Sequence, residues 1–508
     1  MELELEQERI IGYELAGEKT VCQEETLESI VPDACPDILR IADVCGHPII
    51  TGKQPREDAA LVSGTVPMSV LYEPEGKAGL CKMDVSLPFT CQLAVPGLTD
   101  SGRIIASASL RHAEAKLLNP RKVLLRVDLA VNLRVYRSYE RAVCCAVCSD
   151  REATLCQKKA EVQDCYICDV AEKPFRLETQ LRMKAVQGEQ VQILSLRGVP
   201  VCSDCKLIGN KLIFKGSINL AVLTQDSGRL LNTVRESVPF SQIMEVNGGE
   251  GGQSWGVTLE LQSLEWSADT DDSGLLSVTA DILAQTSVMQ SKTLTLLEDL
   301  YSTEFRTECH TDELLFQRCG EETVIPQPVR ELVEGEPVIQ TIVDSQLHFG
   351  EIVQTRQEKA LRLSVNVVLE LLYLDQEEHL HQLTQEIPVS CQLNCVPEDR
   401  CDCSYSCPDD VYASPSAGGA EVRFNVEFHC RVTHTTKVNG VTSAQIGKER
   451  NIEGRERPSV VLRLASGDET LWDIAKSYGT TEERIAEVND LEEGLSPAGI
   501  MLLIPSHP

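Results

Sequence analysis

Apolar and polar residues alternate with period two along most of this chain, and the alternation comes in three copies. In the first, Gly64-Thr65-Val66-Pro67-Met68-Ser69-Val70-Leu71-Tyr72 is followed by Leu87-Pro88-Phe89. The second reads Gly216-Ser217-Ile218-Asn219-Leu220-Ala221-Val222-Leu223-Thr224, then Val238-Pro239-Phe240, and the third Val365-Asn366-Val367-Val368-Leu369-Glu370-Leu371-Leu372-Tyr373, then Ile387-Pro388-Val389. The prolines lie 151 and 149 positions apart (239 − 88 and 388 − 239), a spacing too regular for chance. Each copy closes on a long alternating run: Val123 to Tyr136, Leu275 to Met289 and Val422 to Val432. Turn residues such as Glu75-Gly76 and Asp226-Ser227-Gly228 interrupt the pattern. Alternation broken by turns predicts strands. The fold expected is therefore mainly β, with three tandem sandwich-like repeat domains over residues 1–160, 161–292 and 293–437. A short helical piece is expected near Pro36-Asp37-Ile38-Leu39-Arg40-Ile41, and an insertion in the third repeat near Cys401 to Gly419. Residues 438–458, with Lys448-Glu449-Arg450 and Glu453-Gly454-Arg455-Glu456-Arg457, read as a flexible tether.

The period changes after residue 459. An apolar strand (Val460 to Leu464) meets a Gly467-Asp468 turn, and Thr470 stands where a helix N-cap belongs. Leu471, Ile474, Ala475 and Tyr478 recur at helical spacing and make one apolar face, and Gly479 follows as a C′ residue. Thr481 opens a second helix carrying Ile485 and Val488, and Leu502-Leu503-Ile504-Pro505 forms a last strand. These residues resemble a LysM module, a small βααβ unit, over residues 459–508. Glu469 makes its first turn one residue longer than the usual Gly-Asp-Thr-Leu form.

Composition narrows the function. A chain of 508 residues with 42% hydrophobic content builds several cores. Its net charge of −31 speaks against nucleic-acid and anionic-membrane partners, which need clustered Lys and Arg. No apolar run of about 18 residues is present, so no membrane span is expected. The start, Met1-Glu2-Leu3-Glu4-Leu5-Glu6-Gln7-Glu8, is acidic where a signal peptide needs positive charge, so the chain is expected to stay inside the cell that makes it.

Val31-Pro32-Asp33-Ala34-Cys35-Pro36-Asp37-Ile38-Leu39-Arg40-Ile41, then the Gly64–Tyr72 strand and Leu87-Pro88-Phe89, resemble the opening of the spore coat family built from SPOCS repeats with a C-terminal LysM. Arg457-Pro458-Ser459-Val460 resembles that family's junction. The resemblance covers roughly residues 20 to 506, although the second repeat lacks the Pro-Asp opening. It implies a non-enzymatic morphogenetic protein, made in the mother cell and assembling at the forespore surface. Its LysM region would engage a spore coat morphogenetic partner of the coat-basement ATPase type. The alternative is a LysM protein of the wall or cortex that binds peptidoglycan, an N-acetylglucosamine polymer. No cofactor is expected.

For the module, the groove or docking residues expected are Gly467, Asp468, Glu469, Thr470 and Leu471 on one loop and Asn489, Asp490, Leu491, Gly494, Pro497 and Gly499 on the other. The carboxylates crowding this segment suit a basic protein surface better than a wall polymer that is itself anionic. Trp472, Ile474, Ala475, Tyr478 and Ile485 read as core, with Trp472 packed inward in preference to serving as a sugar platform.

Twenty-one cysteines sit oddly in an intracellular chain. Cys145-x2-Cys148-x16-Cys165-x2-Cys168 has the spacing of a four-thiolate zinc site. Zinc, cross-linking in a mature coat and free thiols all remain open, with free thiols favoured because alternating strands do not readily converge four sulfurs. Asp269-x-Asp271-x-Ser273-Gly274 opens like a calcium loop but has Ala280 at its twelfth position. His379-Leu380-His381 reads as surface histidines. No nucleophile elbow or His-Glu-x-x-His helix is present, so no catalytic residue is expected.

Overall fold

The computed structural model describes residues 3–76, 79–148, 155–183, 191–248, 252–254, 256–268, 275–358, 360–417, 419–449, 460–467, 469–491 and 497–505. The alternating runs are strands, and nearly all regular structure is β. The first repeat holds β1 (Glu4–Ile30), β2 (Ile38–Gly46), β3 (Ile49–Arg56), β4 (Ala59–Pro74), β5 (Cys81–Ala94), β6 (Arg103–Asn119) and β7 (Lys122–Cys148). The second holds β8 (Leu155–Arg182), β9 (Gln192–Ile208), β10 (Lys211–Gln225), β11 (Leu231–Glu245), β12 (Gln253–Ser254), β13 (Thr258–Ala268) and β14 (Leu275–Ser302). In the third are β15 (Phe305–Val333), β16 (Thr341–Gln357), β17 (Ala360–Leu374), β18 (Leu380–Asn394), β19 (Arg400–Ser406), β20 (Tyr412–Ser416) and β21 (Gly419–Glu449).

Each repeat is two antiparallel sheets face to face. The conserved-spacing strand is central in one sheet (β4, β10 or β17), and the closing strand is central in the other (β7, β14 or β21). Inward positions of both fill the core. Val66, Val70, Leu87 and Phe89 face Leu125, Val127, Leu129 and Val131 in the first repeat. Phe214, Ile218, Phe175 and Phe240 meet Val278, Ala280 and Ile282 in the second. The outer sheets of the first two repeats merge where Tyr13 pairs with Ile167.

The pairing of β4, β10 and β17 with the strand that follows each also explains a difference between the repeats. Gly64 pairs with Phe89 and Gly216 with Phe240, whereas the third repeat has Val365 opposite Val389. A Cβ at Gly64 would lie 2.4 Å from the Phe89 ring and 2.3 Å from the Ile49 carbonyl oxygen. Glycine admits a large ring, and a smaller partner permits valine.

Several expectations need correction. The Pro36–Ile41 opening is not helical: Ile38 begins β2, its N–H donating to the Pro120 carbonyl. A short apolar run does not by itself distinguish helix from strand. What fixes the opening is Arg121, which donates to the carbonyls of Val31, Pro32 and Cys35 and pairs with Asp33 and Asp37. Residues 400–416 are not an insertion on a finished sandwich. They form β19 and β20, paired with β21 as β6 pairs with β7.

The closing strands run further than the sequence suggested, to Cys148, Ser302 and Glu449. Residues 438–449, expected as tether, continue β21 and pair with β15 from Val438–Leu314 to Glu449–Phe305. Burial of Val441, Ala444 and Ile446 holds them there, and the charged residues that suggested a tether fall at the very end. The rest of that segment lies outside the described residues. Strands β8 and β14 likewise cross the boundaries expected at 160/161 and 292/293.

The extended ends form three two-stranded ribbons, one per repeat, that bundle together. Ile10 and Val143, Val162 with Leu294 and Leu296, and Phe316 with Leu314 and Val438 make one layer. Leu3 and Val147, Leu297 and Leu300, and Val441, Ala444 and Ile446 make the next. At the other end the repeats meet around a second shared core. A register shift skips Ala42 in β2, Leu194 in β9 and Val343 in β16, so each bulged residue turns out of its own sandwich. These three pack with Leu71, Leu223 and Leu372 and with Leu80, Leu231 and Leu380. Between the two shared cores lies a cavity of about 410 Å³ lined by all three repeats, whose Arg134, Arg141 and Arg400 are paired with Glu18, Asp164 and Asp402.

Candidate functional site

The C-terminal module is βααβ: β22 (Val460–Leu464), α1 (Leu471–Tyr478), α2 (Glu482–Val488) and β23 (Met501–Pro505). Thr470 caps α1, accepting from the Asp473 N–H while the Asp473 carboxylate accepts from the Thr470 N–H. Gly479 ends the helix in the left-handed region (φ 69°), where a side chain would be strained. Thr481 caps α2 through the Arg484 N–H. Ile474, Ala475 and Ile485 are fully buried with Leu502 and Ile504, and Tyr478, Leu471 and Leu491 pack at the edge of the same cluster.

That cluster does not close on itself. Tyr301, near the end of β14, is a member of it, with its ring 4.8 Å from that of Trp472 in an edge-on arrangement. The Tyr301 hydroxyl donates to the Thr480 carbonyl at 2.8 Å, and burial pushes its phenol pKa upward. Asp299 accepts from the Trp472 indole at 2.8 Å and from the Lys476 ammonium at 2.7 Å through both oxygens. Trp472 is therefore buried between the module and the ribbon bundle, with its polar edge aimed at the bundle. Asp299 and Tyr301 escaped the sequence reading, since nothing in their local pattern distinguishes them from other residues of a long strand.

The expected groove residues separate into those committed internally and those left open. Glu469 pairs with Arg463 and accepts from the Ser466 N–H, and this hydrogen bond with the nearby guanidinium holds its carboxyl below the usual range. Asn489 donates to the Ile485 and Leu503 carbonyls and accepts from the Leu503 N–H at 2.7 Å, pinning β23 to α2. Gly499 (φ 74°) donates to the Ala465 carbonyl, and Pro497 is buried beside it. Gly467 and Asp490 stand at the surface end of the two loops, and Asp468 and Gly494 lie outside the described residues. The Glu469 carboxylate of the first loop thus serves the turn.

A different surface is exposed. Val460, Leu462 and Leu464 on β22 and Met501 and Leu503 on β23 all point away from the helices, 41–62% exposed. Leu462 pairs with Leu503 and Leu464 with Met501 across the ladder, so the five are contiguous.

Among the described residues, the zinc-spaced Cys145, Cys165 and Cys168 are not brought together. Cys145 donates to the Glu6 carbonyl, Cys168 to the Val288 carbonyl, and Cys165 lies against Cys319 of the third repeat. The Cys148 side chain lies outside the described residues. His379 and His381 both face Asp375, at 3.7 and 2.8 Å. The Asp269–Gly274 turn also falls outside the described residues.

Three fused sandwiches thus carry a small βααβ module fastened to the ribbon of the second repeat. No described helix is long and apolar enough to cross a membrane. Residues 37–118 and 191–268 match the family model of the SipL, SPOCS domain, and residues 465–502 match that of the LysM domain. The chain thus has the SPOCS-plus-LysM architecture, that of a sporulation, coat-associated protein with a peptidoglycan-binding type of module. Both are families of binding domains. No curated protein matches the chain.

Proposed function

We propose that this chain is a non-enzymatic scaffold of endospore coat assembly that docks a coat morphogenetic partner through the LysM module. It would be made in the mother cell and assemble at the forespore surface. The observation carrying this reading is the exposed strip of Val460, Leu462, Leu464, Met501 and Leu503. Five large apolar residues on one ladder face are a protein-docking surface, not a sugar groove. Residues 459–508 carry nine acidic side chains against three Lys or Arg, and Arg463 and Lys476 pair with Glu469 and Asp299. The partner that fits has an apolar patch rimmed by basic residues, and the coat-basement ATPase is the occupant to test.

The test compares the full chain with a Leu462→Asp/Leu503→Asp double variant for retention of that purified ATPase and of purified peptidoglycan. Loss of ATPase binding in the variant supports docking. Saturable, salt-insensitive peptidoglycan binding, unchanged in the variant and with no ATPase retained, sinks it in favour of the wall-binding alternative.

A further inference from the structure

The third repeat contains a side-chain cluster that the docking function does not use. Cys401 and Cys403 are two apart on β19, so both face the sandwich interior. Cys430 on β21 is the register partner of Cys403. The Cys401 and Cys403 sulfurs are 3.2 Å apart, those of Cys403 and Cys430 are 3.9 Å apart, and all three lie within 4.8 Å of one another. All are buried, at 6, 9 and 1% exposure. Among the described residues this is the one group of three or more ligating side chains so placed. It uses none of the Cys-x2-Cys pairs that the sequence offers.

We propose that Cys401, Cys403 and Cys430 form a buried thiolate site for one thiophilic d10 cation, zinc(II) or copper(I). Metal–sulfur bonds of about 2.3 Å around a shared ion set sulfurs roughly 4 Å apart, so the triangle closes on a metal with shifts of tenths of an ångström. Soft thiolates without carboxylate or imidazole select these ions over magnesium, calcium or manganese. Inward positions just before Cys430 on the same strand are Val422, Phe424, Val426 and Phe428, so this end of the core departs from an otherwise hydrocarbon filling. Cys391 and Cys395 are buried in the same core and lie near enough to Cys401 to interact electrostatically, but they stand outside the three-sulfur group. The Arg356 guanidinium, which donates to the Val396 and Asp399 carbonyls, places a positive charge near Cys401 that offsets the excess negative charge of the thiolates. Binding releases the thiol protons to solvent and changes no oxidation state.

The full chain, purified under reducing conditions, is titrated separately with zinc(II) and with copper(I), and bound metal per chain is counted by mass spectrometry. About one tightly held equivalent of one ion is expected, falling at least about tenfold in Cys403→Ser and unchanged in Cys22→Ser, an exposed cysteine of β1. Because Cys403→Ser could disturb the core, the unaltered chain is also alkylated with and without a chelator. Peptides containing Cys401, Cys403 and Cys430 should gain label together when the metal is removed. No stoichiometric binding of either ion, undiminished metal in Cys403→Ser, or a Cys403–Cys430 disulfide in the reduced preparation would each overturn the site.

Discussion

The indole N–H of Trp472 donates to the Asp299 carboxylate at 2.8 Å, fastening the C-terminal module to the far end of β14, the closing strand of the second repeat. The same carboxylate receives Lys476, so one acidic residue meets two positions one helical turn apart. The module is held on its helical side, which leaves its sheet, the proposed docking surface, exposed. Replacing Asp299 by Ala should remove about 2–3 kcal/mol of this attachment, the usual loss for hydrogen bonds to a charged group. Hydrogen exchange of the α1 amides should quicken in the variant while the repeats keep their protection. Unchanged α1 protection would mean that the Tyr301 contact alone holds the module.

The pairing of Gly64 with Phe89 makes a second prediction. Gly64→Ala should cost about 2–3 kcal/mol, because the new methyl meets both a ring and a backbone carbonyl. Gly64→Val with Phe89→Val should recover part of the loss relative to Gly64→Val alone, since the third repeat uses that pair. Recovery should be incomplete because the Ile49 carbonyl cannot retreat with the ring. Urea midpoints of the three variants decide it.

Where the repeats meet, Asp344 receives Arg197 at 2.6 Å and Arg235 at 2.8 Å, and all but Arg235 are nearly enclosed. Asp344→Ala should destabilise by about 3–5 kcal/mol, most of it the penalty for a buried guanidinium left without its counter-charge. Adding Arg197→Met should restore stability. If the single variant is no less stable than the parent in a denaturant melt, the pair contributes nothing.

Burial pushes the Glu260 carboxyl up from its ordinary 4.5 to about 8, against a long hydrogen bond from the Ala108 N–H of the neighbouring repeat. Asp43 is raised to about 7, again by burial first, with Glu370 adding to it. A folded-state pKa above the unfolded one means the native state holds the proton more tightly. The stabilisation is complete below about pH 4.5 and fades as pH rises through 8. Glu260→Gln should remove its share, on the order of 3 kcal/mol across that window, and flatten the fall in melting temperature between pH 5 and 9. A variant with the parental slope would place the pH dependence elsewhere.

Strand identity was legible because period-two alternation is a local record of which face is buried. The helices of the module were legible for the same kind of reason: Thr470, Gly479 and Thr481 do their work on backbone groups within four residues. The repeat spacing at Pro88, Pro239 and Pro388 located the equivalent strands correctly. The tether reading failed because Lys448, Glu449 and their neighbours outweighed the spaced apolar residues Val441, Ala444 and Ile446, whose burial depends on ribbons from the other two repeats. The expected helix at Pro36 failed because the partner that holds it extended, Arg121, lies more than eighty positions away.

By itself, then, the sequence determined the local choices: alternation, turns, caps, and the order of three repeats and a module. The tertiary structure decided what depends on distant partners. It set the pairing of β1 with β7 and the bulges that turn Ala42, Leu194 and Val343 into a common core. It also buried Trp472 against Asp299 and brought Cys401 and Cys403 to Cys430. The reason is physical. Alternation fixes a side chain's face, but a bulge reverses that parity, and which residue lies across the sheet is chosen by packing between segments far apart in the chain.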